Sequence, residues 1–236
     1  MATSGERTLR FSGGWARVGP WRGRAEVAHL VLGTEAPVTG DGVHDCVARL
    51  RGEGYQAVVT SAVTAADSLP FVDAGFEVRE RLHLLEHPLR DVPRLDRDGR
   101  PLRRAWRGDR AAVVALDARA FDPFWQLDKP GLREALRATP SVRFRVGPRH
   151  PGIAAYAITG RAGRHGYLQR IAVDPGLRRQ GWARALVDDA LRWLARHDVR
   201  RALVNTQLDN TAAVALYESC GFRRLPAGLC VLGRTL

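Results

Sequence analysis

The stretch that most constrains this chain runs from Tyr167 to Leu194 and reads as strand, tight basic loop and helix. Leu168, Ile171 and Val173 lie in a strand-like run that stops at Asp174-Pro175, because proline cannot donate to a ladder and fixes its own turn. Beyond it Trp182, Leu186, Val187, Ala190, Leu191 and Leu194 recur at helical spacing, while Arg184, Asp188, Asp189, Arg192 and Arg196 fill the other face. Between the two lies Arg178-Arg179-Gln180-Gly181-Trp182-Ala183. A loop that opens directly into a helix points several backbone N–H groups at one spot, where the helix dipole also favours negative charge. Gly181 lets the backbone approach closely, Ala183 keeps the helix start slim, and the arginines add charge. Such a loop predicts a diphosphate site. It is neither of the commoner nucleotide loops, since no Lys-Ser/Thr follows a glycine as in a P-loop and no G-x-G-x-x-G is present.

A strand, then Q/R-x-x-G-x-G/A at Arg178 to Ala183, then an amphipathic helix resembles the acetyl-CoA signature of the GCN5-related N-acetyltransferase (GNAT) family. A second block stands at the family's spacing: Asn205, then Asn210-Thr-Ala-Ala213-Val-Ala-Leu216-Tyr217-Glu-Ser-Cys-Gly221-Phe222. It is similar to the family's N-x-x-A-x-x-L-Y-x-x-x-G-F. The resemblance implies an α/β fold (α+β, mixed sheet) of the acyl-CoA N-acyltransferase type, acetyl-CoA as cofactor, and an enzyme in which a neutral amine attacks the acetyl thioester directly. It assigns the pantetheine arm to the backbone of Ile171, Ala172 and Val173, one of whose N–H groups faces the acetyl oxygen. It assigns the diphosphate to Arg178, Arg179, Gln180, Gly181, Trp182, Ala183 and Arg184, and a further cofactor contact to Asn210, which also reads as a helix N-cap. Tyr217 becomes the general acid, a phenol of ordinary pKa ~10 giving its proton to the departing thiolate.

The general base is not assigned. Many relatives place a glutamate on the cofactor strand, whereas Gln169 and Arg170 stand here and neither takes a proton at neutral pH. Asp122, His150, His165, a water chain and bulk deprotonation of the amine all stay open. By the resemblance, the acceptor site has an apolar wall of Phe121, Phe124 and Trp125, with Pro226 to Gly228 opposite. A wall of that kind without an acidic groove favours a small-molecule primary amine over a long basic peptide. An N-terminal peptide acetyltransferase of the ribosomal-protein type, and a sensor that binds acetyl-CoA without turnover, are the alternatives.

The 236 residues allow one large domain or two small ones, with 45% apolar and 26% charged residues as in ordinary globular chains. Cys46, Cys220 and Cys230 have neither metal-ligand spacing nor the even count of a disulfide framework, which predicts reduced, buried thiols and no metal. A Cys220 nucleophile lacks a histidine placed near it in sequence. No apolar run nears the ~18 residues of a membrane span, so a soluble, cytoplasmic protein is expected, with no membrane partner. The charge is uneven: residues 1 to 100 carry net −1 and residues 101 to 236 net +13. Without an aromatic–basic stripe or recognition helix, that excess reads as a solvated arginine face plus an anionic-cofactor site rather than a nucleic-acid surface. A homodimer is left open.

In chain order the first half offers strands at Leu9 to Phe11 and Ala25 to Leu32, a helix near Val43 to Arg51 and a strand at Tyr55 to Thr60. A helix at Ala65 to Ala74 with Leu69 and Phe71 inward follows, then Glu77 to Leu85, which alternates like an exposed edge strand. Shifted by 146 residues, Val58 falls on Val204, Thr60 on Thr206, Phe71 on Tyr217 and Gly75-Phe76 on Gly221-Phe222. This predicts a tandem arrangement: a degenerate, truncated, non-binding GNAT-like repeat at 1–88, a Pro, Asp and Arg-rich linker at 89–101, and a complete catalytic copy at 102–236. In the first copy the basic loop is replaced by Gly33 to Asp41, with acids and Pro37; Thr64 replaces Asn210, and Phe71 lacks a hydroxyl. The second copy is expected to run from a strand at Leu102 to Trp106 through a helix capped by Asp109 and ending at Ala120. A loop to Asp128, a helix at Gly131 to Ala138 and a hairpin, Ser141 to Val146 with Ile153 to Thr159, lead to the strand at Tyr167.

Overall fold

The computed structural model describes residues 7–11, 14–33, 38–90, 92 and 100–236. They form two compact units, Met1–His83 with Pro226–Leu236, and Leu84–Leu225. Most of the expected 89–101 linker, and residues 34–37 of the first copy's loop with Pro37 among them, lie outside the described residues.

The chain begins with three antiparallel strands, β1 (Arg7–Phe11), β2 (Gly14–Trp21) and β3 (Arg24–Leu32). Helix α1 (Gly40–Gly52) crosses to β4 (Ala57–Thr60), parallel to β3. The short β5 (Val63–Thr64), α2 (Ala65–Asp73) and β6 (Glu77–His87) follow. The second unit adds β7 (Arg103–Arg104), α3 (Arg110–Ala120), α4 (Lys129–Ala135), β8 (Ser141–Pro148), β9 (Ile153–Ala162) and β10 (His165–Val173). Then come α5 (Trp182–Ala195), β11 (Arg201–Gln207), α6 (Thr211–Ser219) and β12 (Arg223–Arg224). The last strand, β13 (Leu229–Thr235), belongs to the first unit, where it pairs antiparallel with both β4 and β6. The compact units therefore do not follow the sequence segments 1–88 and 102–236. Strand order is β1-β2-β3-β4-β13-β6 in the first unit and, from the end of β6, β11-β10-β9-β8-β7 in the second.

In the second unit the antiparallel β8–β10 layer is covered on both faces, as the near-continuous burial of β9 requires. Tyr156 and Ile158 point to α3 and α4, meeting Val113, Leu116 and Leu132. Ala155 and Ala157 point the other way, to Trp182 and Leu186 of α5. The six residues expected to line the apolar face of α5 are the six that are buried there. The first unit has its own core around Leu30, Leu50, Val58, Phe71 and Leu232.

Four expectations need correction. Leu69 is 62% exposed while Phe71 is 1% exposed, because residues two apart on a helix point to nearly opposite sides. β6 is not an edge: residues 77–82 pair with β13, and in the second unit its last residues lie beside β11. β7 is two residues rather than five. Asp109 opens α3 without capping its first amides, because its carboxylate turns back to the Trp106 amide at 2.7 Å and to both Nη atoms of Arg103 at 2.7 and 2.8 Å. That guanidinium fork holds the Asp109 carboxyl below the usual carboxylate range. β2 went unpredicted because Gly19 and Pro20 mask its alternation of buried Ala16 and Val18.

The two units share one local register. α2 and α6 are nine residues each, offset by 146, and each is capped by the residue before it: Thr64 accepts from the Asp67 amide and Asn210 from the Ala213 amide, both at 3.2 Å. Both helices end in the paired-bond Schellman motif. Gly75 donates to Val72 and Phe76 to Phe71 at 2.9 Å; Gly221 donates to Glu218 and Phe222 to Tyr217 at 3.0 Å. The rings Phe71–Phe76 and Tyr217–Phe222 pack at 5.2 and 5.7 Å. Both glycines are left-handed, φ +80° and +91°. Alanine at either costs about 1–2 kcal/mol of backbone strain. At Gly221 the new Cβ would also stand 3.0 Å from the His87 ring, whereas at Gly75 the nearest atom is 3.8 Å away. Gly221→Ala should therefore lower the urea midpoint more than Gly75→Ala; equal or reversed losses would refute this account of the motif.

Candidate active site

The site begins where β10 parts from β11. Their parallel ladder covers only residues 165–167 against 201–203, although β10 runs on to Val173 and β11 to Gln207. β9 follows β10 all the way, with a bulge between Leu168 and Arg170 that bends the strand away. Ile171, Ala172 and Val173 thus lie on the parted stretch, with Ala172 buried and its neighbours half-buried. The parallel pair β3–β4 of the first unit is joined throughout: residues 27–30 match all four residues of β4, and the Ser61 amide extends the contact to Leu30.

At the end of β10 the Asp174 amide donates to Ala154 at 2.8 Å. Its carboxylate accepts from the Gly176 amide at 3.0 Å and from Arg119 at 2.8 Å, and these bonds keep it below the usual carboxylate range. The exposed loop that follows alternates in backbone hand: Arg178 is extended, Arg179 is left-handed at φ +62°, and Gly181 is left-handed at +84°. Such alternation turns successive N–H groups toward one concavity. α5 starts from Gly181 with no side-chain cap, its first helical bond running from Ala185 to Gly181 at 3.0 Å. The amides of Trp182, Ala183 and Arg184 have no acceptor within the helix. Nothing lies within 4 Å of where a Cβ on Gly181 would stand, so the concavity opens on space. In the first unit, by contrast, Thr39 caps α1 by accepting from the Gly42 amide at 3.2 Å.

Trp182 contributes its amide to this end, while its ring is buried in the core against Ala155, Ala157 and Leu186. Arg184 is exposed, near Ser219 Oγ at 3.3 Å and Asp188 at 3.6 Å. Farther along the helix Asp189 is clamped by Arg143 at 2.6 and 2.8 Å and by Arg145 at 3.3 Å. Burial works to raise the Asp189 carboxyl, and the two guanidinium groups overcome it, so the net shift is downward.

Tyr217 is buried among Phe222, Leu191 and Val204. Burial first, and Cys220 second, push its phenol well above the ordinary value, so it carries its proton throughout the neutral range. Asn210 is exposed and caps α6. All three cysteines are buried and unpaired, and burial raises the Cys220 thiol, which argues against the thiolate a nucleophile needs.

The loop expected to form the acceptor wall is held by a group sequence reading missed. Asp117, fully buried in α3, accepts from Arg170 at 2.9 and 2.8 Å, from the Leu127 amide at 2.6 Å and from the Tyr156 hydroxyl. Arg170 also donates to the Trp125 carbonyl at 2.6 Å and stands 3.5 Å above the Phe121 ring. Phe124 and Trp125 meet edge to face at 5.0 Å. The signal was an aspartate on the apolar stripe Val113, Leu116, Ala120, where an unpaired charge would be prohibitive. Of the base candidates, Asp122 is exposed and accepts from the Phe124 amide at 3.1 Å, and His150 is exposed in the β8–β9 turn. His165 opens β10, roughly 26 Å along the strand from Val173. Pro226 to Gly228 belong to the other compact unit. A recess of about 350 Å³ lies between α3 and the β8–β9 turn, lined by Ala115, Arg119, Arg149, Pro151 and Asp174 among others, and not by the loop amides or Tyr217. Among the described residues no cluster of metal-ligating side chains is found, and no helix is long and apolar enough to cross a membrane.

Asp117→Ala should cost about 3–5 kcal/mol in urea unfolding, because it strands the Arg170 guanidinium in the interior; a loss below about 1 kcal/mol would contradict the hub. Asp189, whose folded value is depressed, contributes stability above the unfolded carboxyl value of ~3.9, and that contribution is lost as pH falls through the folded value. The stability gap between wild type and Asp189→Asn should therefore be widest near neutral pH and shrink in acid; a gap that widens in acid has the wrong sign.

Residues 111–222 match the family model described as acetyltransferase (GNAT) family. The [ribosomal protein bS18]-alanine N-acetyltransferase of Escherichia coli (strain K12) is 41% identical over 70 residues, 30% of this chain and 47% of the relative. The mycothiol acetyltransferase of Amycolatopsis mediterranei (strain U-32) is 33% identical over 145 residues, 54% of this chain and 48% of the relative. The chain spans about half the length of these curated relatives. A solved GCN5-related N-acetyltransferase from Kribbella flavida has the same fold at a TM-score of 0.67 and 14% identity, over 97% of this chain and 89% of that one. The parted strand, the Gly181 loop and the Tyr217 helix all fall within residues 111–222, the segment that matches this family model.

Proposed function

We propose that this protein moves an acetyl group from acetyl-CoA to a primary amine of a small molecule, with Tyr217 as general acid. The observation that carries the reading is the uncapped start of α5 at left-handed Gly181, directly after a strand that has parted from its neighbour. The loop's amides and Arg178, Arg179 and Arg184 suit a diphosphate, and the free edge of residues 171–173 suits an amide-bearing arm and an acyl oxygen. When bound, acetyl-CoA supplies an activated thioester. Tyr217 holds a proton on its hydroxyl for the departing sulfur. The burial that raises the phenol also raises the basicity of a thiolate in the same surroundings, so the transfer stays matched. With Arg170 committed to Asp117, no strand carboxylate takes the amine's proton, and water or bulk solvent does so.

The apolar loop Phe121, Phe124 and Trp125 favours a compact acceptor, and the longer of the two matches, to a mycothiol acetyltransferase, agrees with one. A peptide N-terminus is the second reading, favoured by the higher identity to the ribosomal-protein alanine acetyltransferase. Residues 1–88, most of which lie in the first unit, we read as a degenerate, truncated copy. Its shared register at the ends of α2 and α6 supports common origin, and its joined β3–β4 pair and Thr39 cap account for lost binding.

Acetyl-CoA at ~100 times its dissociation constant should stabilise the wild type by about 2.7 kcal/mol and leave folded Gly181→Glu unmoved. Tyr217→Phe should keep that shift and lose at least about 10²-fold in acetyl transfer, scored on a panel of small amines and N-terminal peptides. A wild type whose stability acetyl-CoA does not change would end this reading.

A further inference from the structure

Arg100 stands eleven positions before the segment that matches the family model, outside both cofactor motifs, yet its side chain reaches the Gly181 loop. Its Nε donates to the Gln180 carbonyl at 2.7 Å, and its guanidinium carbon lies 5.2 Å from the centre of the Trp182 ring. These are the two residues that flank Gly181.

A cation beside a helix N-terminus opposes the dipole; the Gln180 carbonyl and the Trp182 ring offset part of that, and an anion shared with the amides would offset more. Arg178 and Arg179 are exposed in the same loop, while the nearby acid, Asp174, is engaged by Arg119 and the Gly176 amide. The Nε bond also occupies a carbonyl that would repel an anion gathered by the neighbouring amides. A guanidinium has five donors in a planar fork, and one Nε bond leaves the geometry of its terminal pair suited to two phosphate oxygens.

We propose that Arg100 binds the diphosphate of acetyl-CoA directly, which adds one residue outside both cofactor motifs to the cofactor site. The inference rests on the acetyl-CoA reading above. Binding calorimetry with acetyl-CoA and with its 3′-dephospho form, on wild type, Arg100→Gln and Arg100→Lys at several salt concentrations, tests it. Arg100 is exposed, so both variants should fold. Loss of one charged hydrogen-bonding contact should weaken both ligands about tenfold in Arg100→Gln and less in Arg100→Lys. The dependence of affinity on salt should flatten in the glutamine variant, because a charge that meets the ligand has gone. Unchanged affinity overturns the proposal. So does a loss confined to the ligand with the 3′-phosphate, which moves the contact off the diphosphate, or a loss with unaltered salt dependence, which leaves Arg100 a latch on the loop. A wild type that binds neither ligand removes the cofactor reading itself, a result distinct from a wild type that binds and a variant that binds equally well.

Discussion

Backbone polar groups demand partners, and the second unit is arranged around a place where its own chain supplies too few. β10 keeps β9 for its whole length but shares only three residue pairs with β11. Beyond those, one edge of the strand loses its ladder, and a few residues later α5 starts with amides its own turn does not accept. The bulge that bends β10 and the left-handed residues that lead into α5 have the same consequence. They orient main-chain donors outward and hold them by regular structure on either side, with the buried face of α5 and the Asp189 clamp fixing the helix. On the proposed reading, affinity for an anion follows from this geometry and the arginines set its strength.

A second dependence runs through Asp117. One carboxylate in α3 ties together β9, β10 and the loop after α3, so the loop's aromatic residues are placed by the same strand that carries the parted edge. A buried ion pair of this kind is poor evidence for net stability, since two well-packed apolar side chains would serve as well. Its value lies in register. Arg170 engages the Trp125 carbonyl and covers Phe121, contacts an apolar replacement does not reproduce. The same commitment ties up Arg170, and β10 carries no carboxylate of its own.

Much of this was legible in the sequence because the responsible signals are local. The apolar face of α5, the Asp174-Pro175 stop, the Asn210 cap and the Gly-Phe ends of α2 and α6 each depend on residues within one turn. What escaped was set by partners distant in sequence. Whether Asp109 caps a helix depends on Arg103, six residues earlier, and whether β6 is an edge depends on β13, some 150 residues later. Asp117 meets Arg170 across 53 residues, and nothing near either announces the other. Leu69 is different: about 100° per residue sets it nearly opposite the buried Phe71, a local rule that an inward pair violates.

The first unit shows, by comparison within one chain, which features of such a fold are structural and which serve a ligand. It keeps the capped helix, the Schellman end and the packed aromatic pair, and all of these bury apolar area or satisfy amides internally. It differs where satisfying the backbone and binding an anion conflict. Residues 27–30 pair with all of β4, so no strand edge is open there, and the Thr39 hydroxyl takes a helix amide that Gly181 leaves outward in the second unit. Each of these first-unit features favours the folded chain on its own, since a closed ladder and a capped helix are the lower-energy arrangements. α3 also starts without a side-chain cap, so an uncapped start alone marks nothing; an uncapped helix that follows an open strand edge is found in the second unit and not among the described residues of the first. That combination is the physical reason for proposing the second unit as the one that binds a ligand.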